Sequence, residues 1–176
     1  MPAPSCPSGE RPLRATDRRV GDRPSGKRSC LCDDVAVTRL PLTGGCNCGA
    51  VQYEVSAPLV AASYCHCRRC QRRSGAAASP NAHPAPGAFR VVKGEDRLRV
   101  WKPDDGGEKW FCGDCGSSLF GHNPTHADPI GIRMGTFDED PGIRPDVRQF
   151  VRYAAPWEPI PDDGLPRHPA SRHTIR

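Results

Sequence analysis

Residues 64–76 read Tyr64-Cys65-His66-Cys67-Arg68-Arg69-Cys70-Gln71-Arg72-Arg73-Ser74-Gly75-Ala76, and the rest of the chain is best read outward from this run. Its three cysteines stand in C-x-C-x2-C spacing. On an extended segment, side chains two residues apart point the same way, so Cys65 and Cys67 share a side. A turn after Cys67 is needed to bring Cys70 back to them. Two more pairs flank the run, Cys46-Asn47-Cys48 upstream and Cys112-Gly113-Asp114-Cys115 downstream. In the C-x2-C pair a tight turn wraps both sulfurs round one ion. Gly113 and Gly116, like Gly45 and Gly49 beside the first pair, permit the backbone angles such knuckles need.

Seven cysteines divide naturally as four plus three. A structural zinc site is closed by four protein ligands, whereas a catalytic one has three and keeps a position open. Cys46, Cys48, Cys112 and Cys115 are therefore expected to form a closed four-thiolate site that pins the start of the domain to its middle. Cys65, Cys67 and Cys70 are expected to form a three-thiolate site with a vacancy. Inert core cysteines do not account for these spacings. A redox C-x-x-C lacks its βαβ context around 112–115, and iron–sulfur ligation fits the spacing less well than zinc. Cys6, Cys30 and Cys32 lie in the N-terminal segment and are left out of both sites.

The sequence between the clusters is β-like. Val51, Tyr53 and Val55 alternate with polar residues, the pattern of a half-buried strand. Residues 61–64, 89–92, 98–101, 109–111, 118–120, 130–134 and 147–153 are the other strand candidates, and Lys93-Gly94-Glu95-Asp96 reads as a hairpin turn. Residues 77–84 contain Pro80 and Pro84, which remove backbone donors, so this segment is not expected to be a regular central strand. No amphipathic helix exceeds two turns. Eighteen Gly and twenty Pro in 176 residues, with only 36% hydrophobic residues, exclude a long helical bundle. The expected fold class is all-β.

No stretch is long and apolar enough to cross a membrane as a helix, and no apolar h-region follows Met1. The protein is expected to be cytoplasmic, where cysteines serve metals more often than disulfides. Of the net charge of +5, residues 1–40 supply +3, from eight Arg/Lys and five Asp/Glu. All eleven aromatics lie between Tyr53 and Trp157. Residues 1–39 are thus expected to be a disordered basic tail. The folded domain is expected over 40–169, with a flexible C-terminus at 170–176.

The motifs together resemble the glutathione-dependent formaldehyde-activating enzyme family, also called the centromere protein V/Gfa domain. The resemblance rests on Gly44-Gly45-Cys46-Asn47-Cys48-Gly49-Ala50-Val51, on 64–70 with Ser74-Gly75-Ala76, and on Phe111-Cys112-Gly113-Asp114-Cys115-Gly116-Ser117. Pro156-Trp157 and Asp163-Gly164-Leu165-Pro166 resemble the family's ending. It implies a β-tent fold of short antiparallel strands with two zinc ions, the four-cysteine one structural and the three-cysteine one catalytic. It also implies carbon–sulfur lyase activity on adducts of a thiol such as glutathione with a small aldehyde such as formaldehyde.

Chemistry supports a thiol co-substrate. Zinc favours sulfur ligands and lowers thiol pKa, and strong thiolate donation makes hydrolysis the weaker choice. Arg68, Arg69, Arg72 and Arg73 are candidates to offset the charge of the site and to grip carboxylates of the thiol. His66 is a candidate general acid/base or a group that supports the metal ligands. His83, His122, His126 and Ser74, as a donor to a metal thiolate, are lesser candidates. The alternative reading is a non-catalytic zinc module that binds a protein or nucleic acid through the basic tail. Nucleic acid is not the expected partner, because the folded part is near neutral. The expected partners are a small thiol and its aldehyde adduct, with no membrane.

Overall fold

Ten short strands and one two-turn helix frame this computed structural model, in which residues 39–125 and 130–172 are described. The expected tail falls almost wholly outside them, as do His126 and residues 173–176. The strands are β1 (Leu42–Gly45), β2 (Gln52–Val55), β3 (Leu59–Cys65), β4 (Ser79–Pro84), β5 (Phe89–Lys93), β6 (Leu98–Trp101), β7 (Glu108–Cys112), β8 (Ser118–His122), β9 (Ile130–Arg133) and β10 (Arg148–Gln149). Helix α1 spans Arg68–Ser74. A three-stranded sheet has the order β1-β2-β5, and a seven-stranded sheet has the order β10-β3-β4-β9-β8-β7-β6. The architecture is mostly β, as expected. The strand pairs are antiparallel except that β10 runs parallel to β3.

The core lies between the sheets. Leu42, Tyr53 and Val55 from the small sheet meet Leu98, Phe120 and Ile132 from the large one. Rings bridge the gap: Phe89 of β5 is 5.4 Å from Tyr53 and 4.8 Å from Phe120, which stacks on Trp110 at 5.9 Å. The Tyr53 hydroxyl lies 2.8 Å from Thr136 Oγ1. A Cβ at Gly44 would collide with that hydroxyl and with the Thr136 carbonyl, so only glycine fits there.

Register assigns two faces to the large sheet. Val100 pairs with Trp110, Trp110 with Phe120, Phe120 with Ile132, and Ile132 with Ala82. This row faces the core. The next row runs Trp101, Lys109, Gly121, Gly131, and Arg133 pairs with Asn81 on the same side. The second face is polar, and α1 packs over it: Arg69 lies 5.6 Å from the Trp101 ring centre and Arg73 5.8 Å from that of Phe111.

Three local expectations are corrected. Residues 93–96 do not close a hairpin. Beyond Gly94 a 3-10 turn, Glu95–Arg97, carries the chain from β5 in one sheet to β6 in the other. A Cβ at Gly94 would strike the Ala50 carbonyl, so the crossing hugs the first cysteine loop. Second, the proline segment does form an interior strand, β4. Tyr64, opposite Pro80, turns its N–H to the Val147 carbonyl at 2.9 Å, so that pair asks no donor of Pro80. The β9 ladder touches only Asn81 and Ala82, and the Ile130 carbonyl accepts from His83 Nδ1 at 2.9 Å. Third, 147–153 is strand only at Arg148–Gln149, because Phe150 takes φ 58° and starts a 3-10 turn, Val151–Tyr153. Chain contacts continue past residue 169: Phe150 N–H donates to Ala170 O, and Arg172 N–H to Gln149 Oε1.

Candidate metal centres

The first cysteine group sits where two loops meet. Cys46–Gly49 turns between β1 and β2, its Gly49 N–H donating to Cys46 O at 3.0 Å. Cys112–Gly116 turns between β7 and β8, with Gly116 N–H donating to Cys112 O at 2.9 Å. Both turns end on a glycine of positive φ, 73° at Gly49 and 76° at Gly116, a conformation that a side chain would strain. Asn47 N–H donates to Ser117 Oγ across the loops at 3.0 Å.

The sulfurs of Cys46, Cys48, Cys112 and Cys115 all lie within 4.8 Å of one another. Four sulfurs at about 2.3 Å from a tetrahedral zinc stand about 3.8 Å apart. Cys46–Cys48 is 3.5 Å and Cys48–Cys112 is 3.8 Å, so the group fits a closed zinc site. Its surroundings are neutral donors: Val51 N–H points at Cys46 Sγ from 3.2 Å, and Ser117 Oγ lies 3.2 Å from Cys115 Sγ. The Ser117 contacts hold the Cys115 thiol down to about 6. Cys112 is fully buried, while Cys48 and Cys115 reach solvent. Asp114 is solvent-facing and lies 3.4 Å from Arg97.

The second group is built by a strand end and a helix start. Cys65 closes β3, Cys67 caps α1, and Cys70 lies in its first turn, with Cys70 N–H donating to Cys67 Sγ at 3.4 Å. Their sulfurs also lie within 4.8 Å of one another. Hydrogen bonding from Cys65, then Cys67, and then the nearby Arg133 guanidinium holds the Cys70 thiol down to about 2, and the same thiol contacts with burial push Cys65 up. The trio thus favours at least one thiolate before any metal arrives, the donor state that zinc requires. Gln71 locks the start of the helix by donating to His66 O at 2.6 Å and Tyr153 O at 2.7 Å.

The structure brings together only part of the predicted set. The four arginines of α1 split into i,i+4 pairs. Arg68 and Arg72 are exposed, and Arg68 donates to Gln71. Arg69 and Arg73 turn over the sheet, the former to Asp105 at 2.6 Å, the latter to Ser118 Oγ at 2.8 Å. Ser74 does not reach a thiolate; its hydroxyl donates to Cys70 O at 2.9 Å. His83 bonds the Ile130 carbonyl and His122 faces Glu108 at 3.5 Å.

His66 is 3% exposed. Its Nε2 accepts from Arg148 at 3.4 Å, and its buried Nδ1 has no partner among the described residues. Burial, then the Arg148 charge, lowers its pKa, so the ring is neutral near pH 7. Arg148 is itself buried, lies 4.5 Å from the Tyr64 ring centre and pairs with Asp163 at 2.6 Å. The segment 163–166 is thereby fastened to the cysteine run. Sequence reasoning missed Arg133 and Lys109. Arg133 NH1 lies 3.7 Å from Cys70 Sγ, 3.0 Å from Ser79 Oγ and against Asn81 Oδ1. Both residues reach the site through strand register alone, which leaves no local signal.

No helix among the described residues is long and apolar enough to cross a membrane. A Halomonas elongata protein provisionally named a glutathione-dependent formaldehyde-activating enzyme is 27% identical over 105 residues, covering 56% of this chain and 67% of that one. A Rhodobacter sphaeroides protein of known crystal structure is 27% identical, with a TM-score of 0.47 over 59% of this chain and 92% of that chain. The family model described as glutathione-dependent formaldehyde-activating enzyme matches residues 41–153, a span that contains all seven clustered cysteines. The chain belongs to the glutathione-dependent formaldehyde-activating enzyme family.

Proposed function

We propose that the protein is a zinc-dependent carbon–sulfur lyase that interconverts a glutathione-type thiol and a small aldehyde, formaldehyde by the family name, with their hemithioacetal. The observation that carries this reading is the composition of the second cysteine group. Among the described residues no fourth histidine, cysteine or carboxylate joins Cys65, Cys67 and Cys70, and cations stand beside them where a closed structural site would need none. Two zinc ions per chain are proposed, one for each group.

When bound by the three thiolates, zinc supplies a soft Lewis acid with a position that suits a fourth sulfur. The chain supplies the rest. In the cleavage direction the adduct's hydroxyl loses its proton, its oxygen forms the carbonyl, and the carbon–sulfur electron pair leaves on sulfur. Negative charge therefore grows at the substrate sulfur, and Arg73 and Arg133 lie where they stabilise it. Arg69 flanks them. Arg68 and Arg72, being exposed, are assigned at most a screening role. His66 is proposed to serve the site through its free Nδ1, the ring atom that Arg148 does not engage.

Exchange NMR with 13C-formaldehyde and glutathione tests the reading. Catalytic amounts of the zinc-loaded protein should raise the exchange rate between free and thiol-bound formaldehyde, and Cys67→Ser should abolish the increase. An unchanged exchange rate with a fully loaded wild-type protein would rule the lyase out.

A further inference from the structure

We propose that Arg73, Lys109 and Arg133 form a carboxylate-recognition site beside Cys70, so that the protein selects thiols that carry a carboxylate. This rests on the reading above, that a thiol enters at the three-cysteine group, and extends it to the substrate's charged end.

The polar face of the large sheet builds the site. Lys109 on β7 and Arg133 on β9 project from that face, and Arg73 descends onto it from α1, its guanidinium over Phe111. Lys109 pairs with Gly121, which pairs with Gly131. With no side chains at these two positions the lysine can lie across β8: a Cβ at Gly121 would stand 3.4 Å from Lys109 Nζ. The ammonium is held partly buried, within electrostatic reach of Cys70, Arg69, Arg73 and Arg133.

Among the described residues these three cations share the Cys70 sulfur but have no carboxylate partner. The other cations among the described residues that are not exposed find carboxylates: Arg69 has Asp105, Arg148 has Asp163 and Arg172 has Asp146. Among the described residues Arg73 bonds only the Ser118 hydroxyl, and its Nε is buried with no partner there. Arg133 bonds Asn81, Ser79 and Cys70, and no carboxylate among the described residues pairs with Lys109. Three thiolates on a divalent ion carry a net charge of about −1, and one more from a substrate thiol makes about −2. Three cations exceed that, and burying a surplus positive charge is costly unless it is paired. A substrate carboxylate supplies the missing anion, and a guanidinium or ammonium bonds it with charge-assisted strength.

Calorimetric titration of the zinc-loaded full chain tests this. Glutathione should bind at least about tenfold more tightly than its diethyl ester, in which both carboxylates are neutral. Lys109→Gln should shrink that ratio toward one while leaving 2-mercaptoethanol affinity within about twofold. S-methylglutathione keeps the carboxylates but has no free thiol; it should bind the wild type measurably and Lys109→Gln more weakly. Equal affinity for glutathione and its ester overturns the proposal, and so does a Lys109→Gln variant that weakens every thiol alike. If 2-mercaptoethanol fails to bind while glutathione and S-methylglutathione bind equally and in a Lys109-dependent way, the thiol-site reading fails and the carboxylate site stands. Failure of all four ligands overturns both.

Discussion

The two cysteine groups have the same ligand chemistry and opposite surroundings. Around Cys46, Cys48, Cys112 and Cys115 the second layer is made of backbone N–H groups and Ser117, all within the two loops that carry the ligands. Around Cys65, Cys67 and Cys70 it is made of long cationic side chains, Arg73 from the helix that carries Cys70 and Arg133 from β9. Neutral donors suit a four-thiolate site of the closed kind proposed above. Cations prepare a site for further negative charge. Burial alone would mislead, because the complete group exposes Cys48 and Cys115 while the incomplete one holds Cys70 buried. On the proposed reading, what lies behind the sulfurs separates a site that holds the fold from a site that acts.

The largest effect expected from this contrast is on folding. Cys112→Ser should lose the first metal and with it most of the cooperative thermal transition, since a structural zinc contributes folding free energy directly, about 10 kcal/mol or more in small zinc domains. Cys67→Ser should bind one zinc fewer yet keep its far-ultraviolet circular dichroism and a cooperative melt. Zinc stoichiometry and melting of the two variants check both. Equal loss of fold in both would erase the distinction between the groups.

Next in size is the fastening of the three-cysteine group. Arg148→Met removes the bonds of a buried guanidinium to Asp163 and His66 and should cost about 3 kcal/mol in urea denaturation. Tyr53→Phe, on the side of the closed site, loses only the hydroxyl contact with Thr136 and should cost about 1 kcal/mol. Arg68→Gln with Arg72→Gln should leave glutathione affinity within about twofold, since both side chains are exposed.

The smallest effect is on pH dependence. Arg148 holds the Asp163 carboxyl below its ordinary value. A depressed carboxylate adds stability above its unfolded pKa, about 4, and loses it as pH falls through the folded value. The stability difference between wild type and Asp163→Asn should therefore be constant at neutral pH and shrink below about pH 4. A difference that grows on acidification would contradict the pairing.

The cysteine groups were legible because their ligands lie within a few residues of one another, where strand alternation and tight turns fix the geometry. The division into four and three followed from counting. Helix α1 left no periodic signal, since Arg68–Ser74 is only two turns long. Proline content misdirected the reading of β4, because what matters is where a missing N–H would have pointed, and that depends on the partners of Tyr64 and Asn81. Lys109 and Arg133 were invisible for the same reason: register across β7, β8 and β9 places them, and no local pattern encodes it. Of the four arginines of α1, sequence marked the segment, while helical geometry separated Arg69 and Arg73 from Arg68 and Arg72.

The most direct test of the contrast is cobalt substitution. With Co2+ in both groups, the visible spectrum reports ligand number and type at tetrahedral sulfur sites. Titration with glutathione should produce a saturable new thiolate–cobalt band in the wild type that is absent in Cys67→Ser, while the bands of the four-cysteine group stay constant. A spectrum unchanged by glutathione with both groups loaded would mean that the three-cysteine group is also closed, and the account of it as the acting site would fall.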